Sequence, residues 1–135
     1  MRLIVDTNRI IAALIRDSSS RRILLSPKFE FISIRFGEKE VYKYKEEIIT
    51  KANISAVQFE KLINTFSSKL STLDDSSIES YMAEAKEIMG KIDTNDTPFI
   101  AAALSKNCGI WSDDAHFQKQ NKVKAWKTEE LLKLL

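Results

Sequence analysis

Several aspartates of this chain lie next to short apolar segments in the sequence. Asp6 follows residues 3–5, Asp93 and Asp96 precede residues 99–104, and Asp113 and Asp114 follow residues 109–112. Adjacent acids repel each other, so a domain that gathers them accepts an electrostatic cost that a bound cation would offset. Carboxylate oxygens suit hard cations such as Mg²⁺ and Mn²⁺, which also bind substrate phosphates. The set therefore predicts metal-dependent phosphodiester chemistry, in which a metal activates water and neutralises charge at the phosphate.

A structural interpretation competes with this one for each acid. An Asp that follows a strand, such as Asp6, is most often the N-cap of the next helix. Either Asp93 or Asp96 could cap the helix that residues 99–104 predict, and both would favour its positive end. Capping needs only one of the two. The metal hypothesis therefore depends on the set of acids rather than on any single residue.

The elements that must position these acids are short strands alternating with helices. Residues 3–5 and 109–112 are apolar runs typical of strands covered on both faces, residues 29–34 alternate apolar and polar, and residues 123–126 are a weaker strand candidate. This alternation predicts an α/β domain with a mainly parallel sheet. In such sheets ligands bind outside the carboxyl ends of the strands, which is where Asp6 and Asp114 stand.

Helix signals fill the segments between these strands. Residues 9–15 and 38–49 are each predicted as a helix, and Ser55 with Gln58 forms a capping box for a helix that runs to Phe66. A second capping box predicts a helix from about residue 76 to Met89, closed by Gly90. Residues 99–104 are apolar nearly all round, which predicts a buried central helix.

Length and composition limit the remaining possibilities. The 135 residues are 44% hydrophobic and 30% charged, which fits one domain over residues 1–135. The net charge is only +2, so the chain does not have the large excess of basic residues that by itself indicates a nucleic-acid-binding protein. The single Cys108 cannot form an intramolecular disulfide, and the first apolar run breaks at Asp6, far short of a membrane span. We therefore expect a cytoplasmic protein without a membrane partner.

Three segments resemble, in order and spacing, the first, third and fourth motifs of PIN-domain ribonucleases: residues 3–8 (LIVDTN), 93–104 (DTNDTPFIAAAL) and 110–117 (IWSDDAHF). The resemblance covers nearly the whole chain, from Leu3 to about Trp126. It implies a three-layer α/β/α domain with a parallel sheet of about five strands, and metal-dependent endonuclease activity on RNA. Many relatives are VapC-type toxins of toxin–antitoxin pairs, so an antitoxin protein is an expected partner.

The resemblance also implies roles for individual residues. The catalytic, metal-binding carboxylates would be Asp6, Asp96, Asp114 and Glu40, with one or two Mg²⁺ or Mn²⁺ ions as cofactor. Supporting roles would fall to Asn8, Asp93 and Ser112.

Glu38 competes with Glu40 for the second-motif position. Two helical residues that are two apart point in directions about 200° apart, so only one of these acids can face the site. We favour Glu40 because it adjoins the apolar stripe of Val41, Tyr44 and Ile48.

Three further residues are candidates for substrate binding. His116 stands where the family often has another acid, and its imidazole is either a solvated side chain or a phosphate contact and proton donor. Arg9 and Lys119 follow motif acids and are position-based candidates for phosphate contacts. A charged residue at such a place is more often simply solvated.

The favoured function is a metal-dependent endoribonuclease, with RNA as substrate and water activated at the carboxylate cluster. The alternative is a catalytically silent PIN-like module that binds RNA or a protein, which would require a broken set of acids. A phosphotransfer enzyme with Asp6 as nucleophile is disfavoured, because its signature needs an Asp where Asn8 stands. The apolar residues of the helix at 55–66 and of the Leu-rich C-terminal helix exceed what one small core needs, which predicts a homodimer.

Overall fold

The computed structural model describes residues 1–16, 18–90 and 94–135. A parallel sheet runs through this part of the chain, formed by β1 (Arg2–Val5), β2 (Glu30–Ile34), β3 (Leu70–Leu73), β4 (Gly109–Trp111) and β5 (Ala125–Trp126). The strand order is β3-β2-β1-β4-β5, and every pair of neighbours is parallel. β1 lies at the centre and pairs with β4 on one side and β2 on the other. The predicted parallel α/β sheet is confirmed.

Helices connect the strands, as parallel pairing requires. They are α1 (Thr7–Ile15), α2 (Ser19–Leu24), α3 (Arg35–Lys43), α4 (Lys45–Ala52), α5 (Ala56–Ser67), α6 (Asp75–Ile78), α7 (Met82–Met89), α8 (Thr97–Lys106), α9 (Ala115–Gln118) and α10 (Thr128–Leu132), with 3-10 turns at Glu79–Tyr81 and Thr94–Asp96. Among the described residues, no helix combines the length and apolar character needed to cross a lipid bilayer.

The helices cover both faces of the sheet, because the side chains of β1 alternate between two cores. Leu3 and Val5 pack on one face with apolar residues of α1, α2, α4, α5 and α10. Ile4 packs on the other face with residues of α6, α7, α8 and α9. These two cores make the three-layer α/β/α arrangement that the family resemblance implies. Helix α8 is buried on most of its surface, as its composition predicts.

The structure differs from the sequence prediction at two helices and one strand. The single helix predicted over residues 38–49 is two helices, because the backbone leaves helical geometry at Tyr44 (φ −98°, ψ 14°) between α3 and α4. The helix predicted over residues 76–89 begins at Asp75 and is interrupted by the 3-10 turn at Glu79–Tyr81. Strand β3 was not predicted, because it is a sheet-edge strand without a fully buried residue and therefore lacks a strong apolar signal.

Candidate active site

The carboxyl ends of β1 and β4 meet in the middle of the sheet and place two motifs side by side. Val5 pairs with Trp111 in register, so that Asp6 and Ser112 leave the sheet as neighbours. The Ser112 hydroxyl donates a hydrogen bond of 2.7 Å to Oδ2 of Asp6, and the Asp6 backbone N–H donates to the Trp111 carbonyl at 3.1 Å. Parallel pairing thus joins residues that are 106 positions apart in the chain.

Asp6 combines a structural and an electrostatic role. Its Oδ1 accepts a hydrogen bond from the Asn8 backbone N–H at 3.4 Å and so caps α1. The residue is only 6% exposed. Burial raises the pKa of the Asp6 carboxyl above its usual value, the hydrogen bonds from Ser112 and Asn8 lower it, and the negative charge of Asp114 raises it. An ionised Asp6 is therefore costly in this position, and a bound cation would offset that cost.

Glu40 and Glu38 lie on different sides of α3, as helix geometry requires. Oε1 of Glu40 accepts a hydrogen bond of 3.0 Å from the Thr7 hydroxyl, next to Asp6. Burial and the negative charge of Asp6 raise the pKa of Glu40, while the Thr7 hydrogen bond lowers it. Glu38 instead accepts hydrogen bonds from Ser33 and Thr72 on β2 and β3. Of the two competing acids, Glu40 is the one that lies beside Asp6.

A glycine allows α3 to approach α1 at this point. A Cβ atom on Gly37 would lie 2.8 Å from the Thr7 hydroxyl oxygen, which is closer than real Cβ contacts. That hydroxyl is the donor that holds Glu40. The absence of a side chain at Gly37 therefore lets α3, which carries Glu40, pack closely against α1, which carries Thr7.

Asp114, Asp96 and His116 form a compact group of side chains that could hold a metal ion. One candidate ligand atom of each lies within 4.8 Å of the others. Asp114 caps α9 by accepting the His116 backbone N–H at 2.9 Å, while Nδ1 of His116 lies 3.1 Å from Oδ2 of Asp96. Asp96 makes no side-chain capping bond to α8, although it directly precedes that helix. The capping interpretation is therefore satisfied at Asp6 and Asp114 but does not account for Asp96.

Glu40, Asp96 and Asp114 line one cleft of about 410 Å³, whose other lining residues are Thr7, Asn8, Ile11, Ile15, Tyr44, Glu47, Ile48, Lys51 and Asn95. Helices α1 and α4 form its apolar walls. Two rim residues, Tyr44 and Lys51, were not among the sequence-based candidates. The spacing of Tyr44, Ile48 and Lys51 puts them on one helix face, and this signal could have identified Lys51. Lys51 forms a 2.8 Å ion pair with Glu47 on the same rim.

The other predicted site residues lie in different places. The Arg9 guanidinium is held at 2.7 Å by Asp113, which also accepts the Thr128 backbone N–H, so Arg9 is engaged in linking α1 to α10. Lys119 follows α9 and lines a separate surface depression with Glu84 and Glu87. Asn8 is exposed and lines the cleft. Asp93 lies outside the described residues.

The donor set fits a divalent cation. Asp96 and Asp114 offer carboxylate oxygens beside the imidazole of His116, and half-buried Glu40 lines the same cleft. The buried Asp6 carboxylate is close enough to Asp114 and Glu40 for their negative charges to interact. Mg²⁺ and Mn²⁺ prefer carboxylate oxygen ligands, and Mn²⁺ also accepts imidazole. The predicted acids do not form one tight cluster, because Asp6 and Glu40 are held by Ser112 and Thr7 and do not belong to the compact group.

Comparisons with known proteins agree with this architecture. A family model described as PIN domain matches residues 4–135. The chain is similar in fold to a chain of the crystal structure of VapBC2 from Rickettsia felis bound to a DNA fragment from their promoter. That likeness has a TM-score of 0.73 and 16% sequence identity, and it covers 94% of this chain and 98% of the other. A search of curated proteins finds no match to this chain.

Proposed function

Because this chain belongs to the PIN-domain family, whose members are generally nucleases, we propose that it is a metal-dependent endoribonuclease. The observation that carries this proposal is the convergence of Asp6, Glu40, Asp96 and Asp114 on one edge of the sheet. Every one of these acids occupies a position that the family resemblance marks as catalytic. A silent binding module would be expected to lack at least one of them.

The four acids would hold Mg²⁺ or Mn²⁺, and two neighbouring hydroxyl groups would orient two of these acids. Asp96 and Asp114 would bind the cation directly, and the nearby carboxylates of Asp6 and Glu40 would complete its surroundings. Ser112 fixes the orientation of Asp6, and Thr7 fixes that of Glu40. When bound, a divalent cation lowers the pKa of water and offsets the charge of a scissile phosphate.

Single-stranded RNA is the substrate class that the cleft favours. The cleft is open, and its rim carries the Lys51 ammonium and the Tyr44 ring, which is 39% exposed. A lysine at the rim would attract the phosphate backbone, and an exposed aromatic ring would stack on an unpaired base. Lys51 is a better candidate for a phosphate contact than Arg9 or Lys119, because it lines the cleft itself.

We propose further that the enzyme is a VapC-type toxin controlled by an antitoxin protein in the cytoplasm. The fold likeness to a chain of the Rickettsia felis VapBC2 complex supports this assignment. Expression of the chain alone should arrest growth, and Asp6→Asn should relieve the arrest. Arrest that persists in Asp6→Asn at equal protein levels would contradict the toxin assignment.

The nuclease proposal is tested with labelled RNA and purified protein, in Mn²⁺, in Mg²⁺ and with a chelator. Wild type should cleave only with a divalent ion, and Asp6→Asn and Asp96→Asn should lose cleavage. Glu38→Gln is the matched control, because it neutralises an acid of α3 that does not line the cleft. Equal activity in wild type and both Asn variants would refute the proposal. Metal-independent RNA binding without cleavage would favour the silent module.

A further inference from the structure

His116 stands between two carboxylates at distances that suit a shared metal ion. Its Nδ1 lies 3.1 Å from Oδ2 of Asp96 and 3.5 Å from Oδ1 of Asp114. An octahedral ion with ligands at about 2.1 Å places neighbouring ligand atoms about 3 Å apart. The imidazole nitrogen thus lies from each of the two carboxylate oxygens at about the distance that separates adjacent ligands of one ion, and the two oxygens lie within 4.8 Å of each other.

The backbone holds the His116 ring at this place. The His116 backbone N–H donates to Asp114, whose own backbone N–H donates to the buried Ser112 hydroxyl at 3.0 Å. The next residue, Phe117, is fully buried in the core and anchors α9. Because the His116 side chain is 36% exposed, the ring borders solvent and an ion can reach it.

We propose that His116 is a nitrogen ligand of the metal site and that it biases this site toward first-row transition ions over Mg²⁺. This inference rests on the proposed function, because it concerns the same cation. A site made only of carboxylates distinguishes poorly between Mg²⁺ and Mn²⁺. Imidazole is a softer donor that transition ions accept more readily than Mg²⁺ does, so a His at this position adds a preference that an acid there would not give.

A hydrogen bond between the imidazole and Asp96 in the absence of an ion would give the same distances. The two cases differ in what the nitrogen contacts once Mn²⁺ is present. Pulsed electron paramagnetic resonance of bound Mn²⁺ detects coupling to a ligating imidazole ¹⁴N. His116 is the only histidine in the sequence, so an imidazole signal from the untagged chain has a single source.

The experiment compares the wild-type chain with His116→Asp and Ala115→Asp. Ala115→Asp is a matched control, because it adds the same negative charge on the same helix at an exposed neighbouring residue. We expect imidazole coupling in wild type and Ala115→Asp and none in His116→Asp. Calorimetric titration should show the preference for Mn²⁺ over Mg²⁺ falling by about tenfold in His116→Asp and staying unchanged in the control.

The outcomes separate this inference from the proposed function. Mn²⁺ bound without imidazole coupling, or with the same preference over Mg²⁺ in wild type and His116→Asp, would overturn the role of His116 while leaving a carboxylate metal site. A wild-type protein that binds neither ion would overturn both proposals. Coupling that disappears only in His116→Asp, together with the loss of preference, would establish His116 as a ligand.

Discussion

The Asp6 carboxylate uses its two oxygens for two purposes. Oδ1 caps α1 through the Asn8 amide, and Oδ2 receives the Ser112 hydroxyl from the neighbouring strand. The N-cap interpretation and the catalytic one therefore do not exclude each other. The cap fixes the side chain in a buried position, and this position gives the carboxylate its raised pKa.

The raised pKa of Asp6 predicts how the stability of the metal-free protein depends on pH. Because folding raises this pKa, Asp6 favours the folded state less as pH rises from the ordinary aspartate value, about 3.9, through the higher folded value. With a chelator, the stability of Asp6→Asn relative to wild type should increase by about 1 kcal/mol between pH 4 and pH 7, because only the wild-type carboxyl must ionise in its buried position. Thermal unfolding from pH 4 to pH 8 measures it. A difference that is constant over this range would contradict the prediction.

The two glutamates of α3 should differ sharply in activity. Glu40→Gln should reduce RNA cleavage by about a hundredfold or more, because a neutral amide binds a cation weakly. Glu38→Gln should change the cleavage rate by less than about threefold and the stability by about 1 kcal/mol, because its loss affects only the contacts with Ser33 and Thr72. Initial rates and urea unfolding give both quantities. The reverse order of activities would assign the second-motif role to Glu38.

At the scale of elements, the packing of α3 on α1 makes Gly37 a sensitive position. In Gly37→Ala the new methyl group would push against the Thr7 hydroxyl, so we expect a loss of about 1 to 2 kcal/mol in stability and about tenfold in cleavage. Gly90→Ala is the comparison, because Gly90 has φ +56° and a methyl group there would meet no atom within 4 Å. It should lose about 1 to 3 kcal/mol, because φ +56° with ψ −123° is a backbone region that residues other than glycine rarely adopt, and its cleavage should be unchanged. Equal RNA cleavage by Gly37→Ala and Gly90→Ala would contradict this prediction.

Prediction from the sequence succeeds where a local signal and a topological rule agree. The apolar runs before Asp6 and Asp114 mark buried strands, and the rule that parallel strands end at one edge of the sheet brings the two acids together. β3 has no such signal, because Ser71 and Thr72 between its leucines are exposed. The contact of His116 with Asp96 depends on how a 3-10 turn and a four-residue helix approach each other, which the spacing of residues does not encode.

At the scale of the whole molecule, the structure reduces the apolar surface that predicted a homodimer. Helix α5 buries Phe59, Ile63 and Phe66 in the chain's own core and leaves Val57 65% exposed. Near the C-terminus, Leu134 is 41% exposed. The homodimer remains a prediction, and the surface available to it is now much smaller.

If α5 forms the dimer contact, Val57→Glu should weaken it by at least about tenfold, because a charge would be buried against an apolar partner. Light scattering from about 1 to 200 µM measures the effect, in a range where weak dimers dissociate. Asn121→Glu is a control for the added negative charge, because Asn121 is exposed beside α7, on the other face of the sheet from α5. A wild-type monomer at every concentration would contradict the homodimer.

The pairing of β1 with β4 also has a consequence for the order in which the protein is made. A nascent chain acquires β1 and its neighbour β2 early, but Ser112 and Asp114 follow a strand that begins only at Gly109. Until the ribosome has synthesised and released that segment, Asp6 has no partner hydroxyl and the cleft lacks one wall. If the chain is the ribonuclease proposed above, it cannot act on RNA before β4 has emerged from the ribosome and paired with β1.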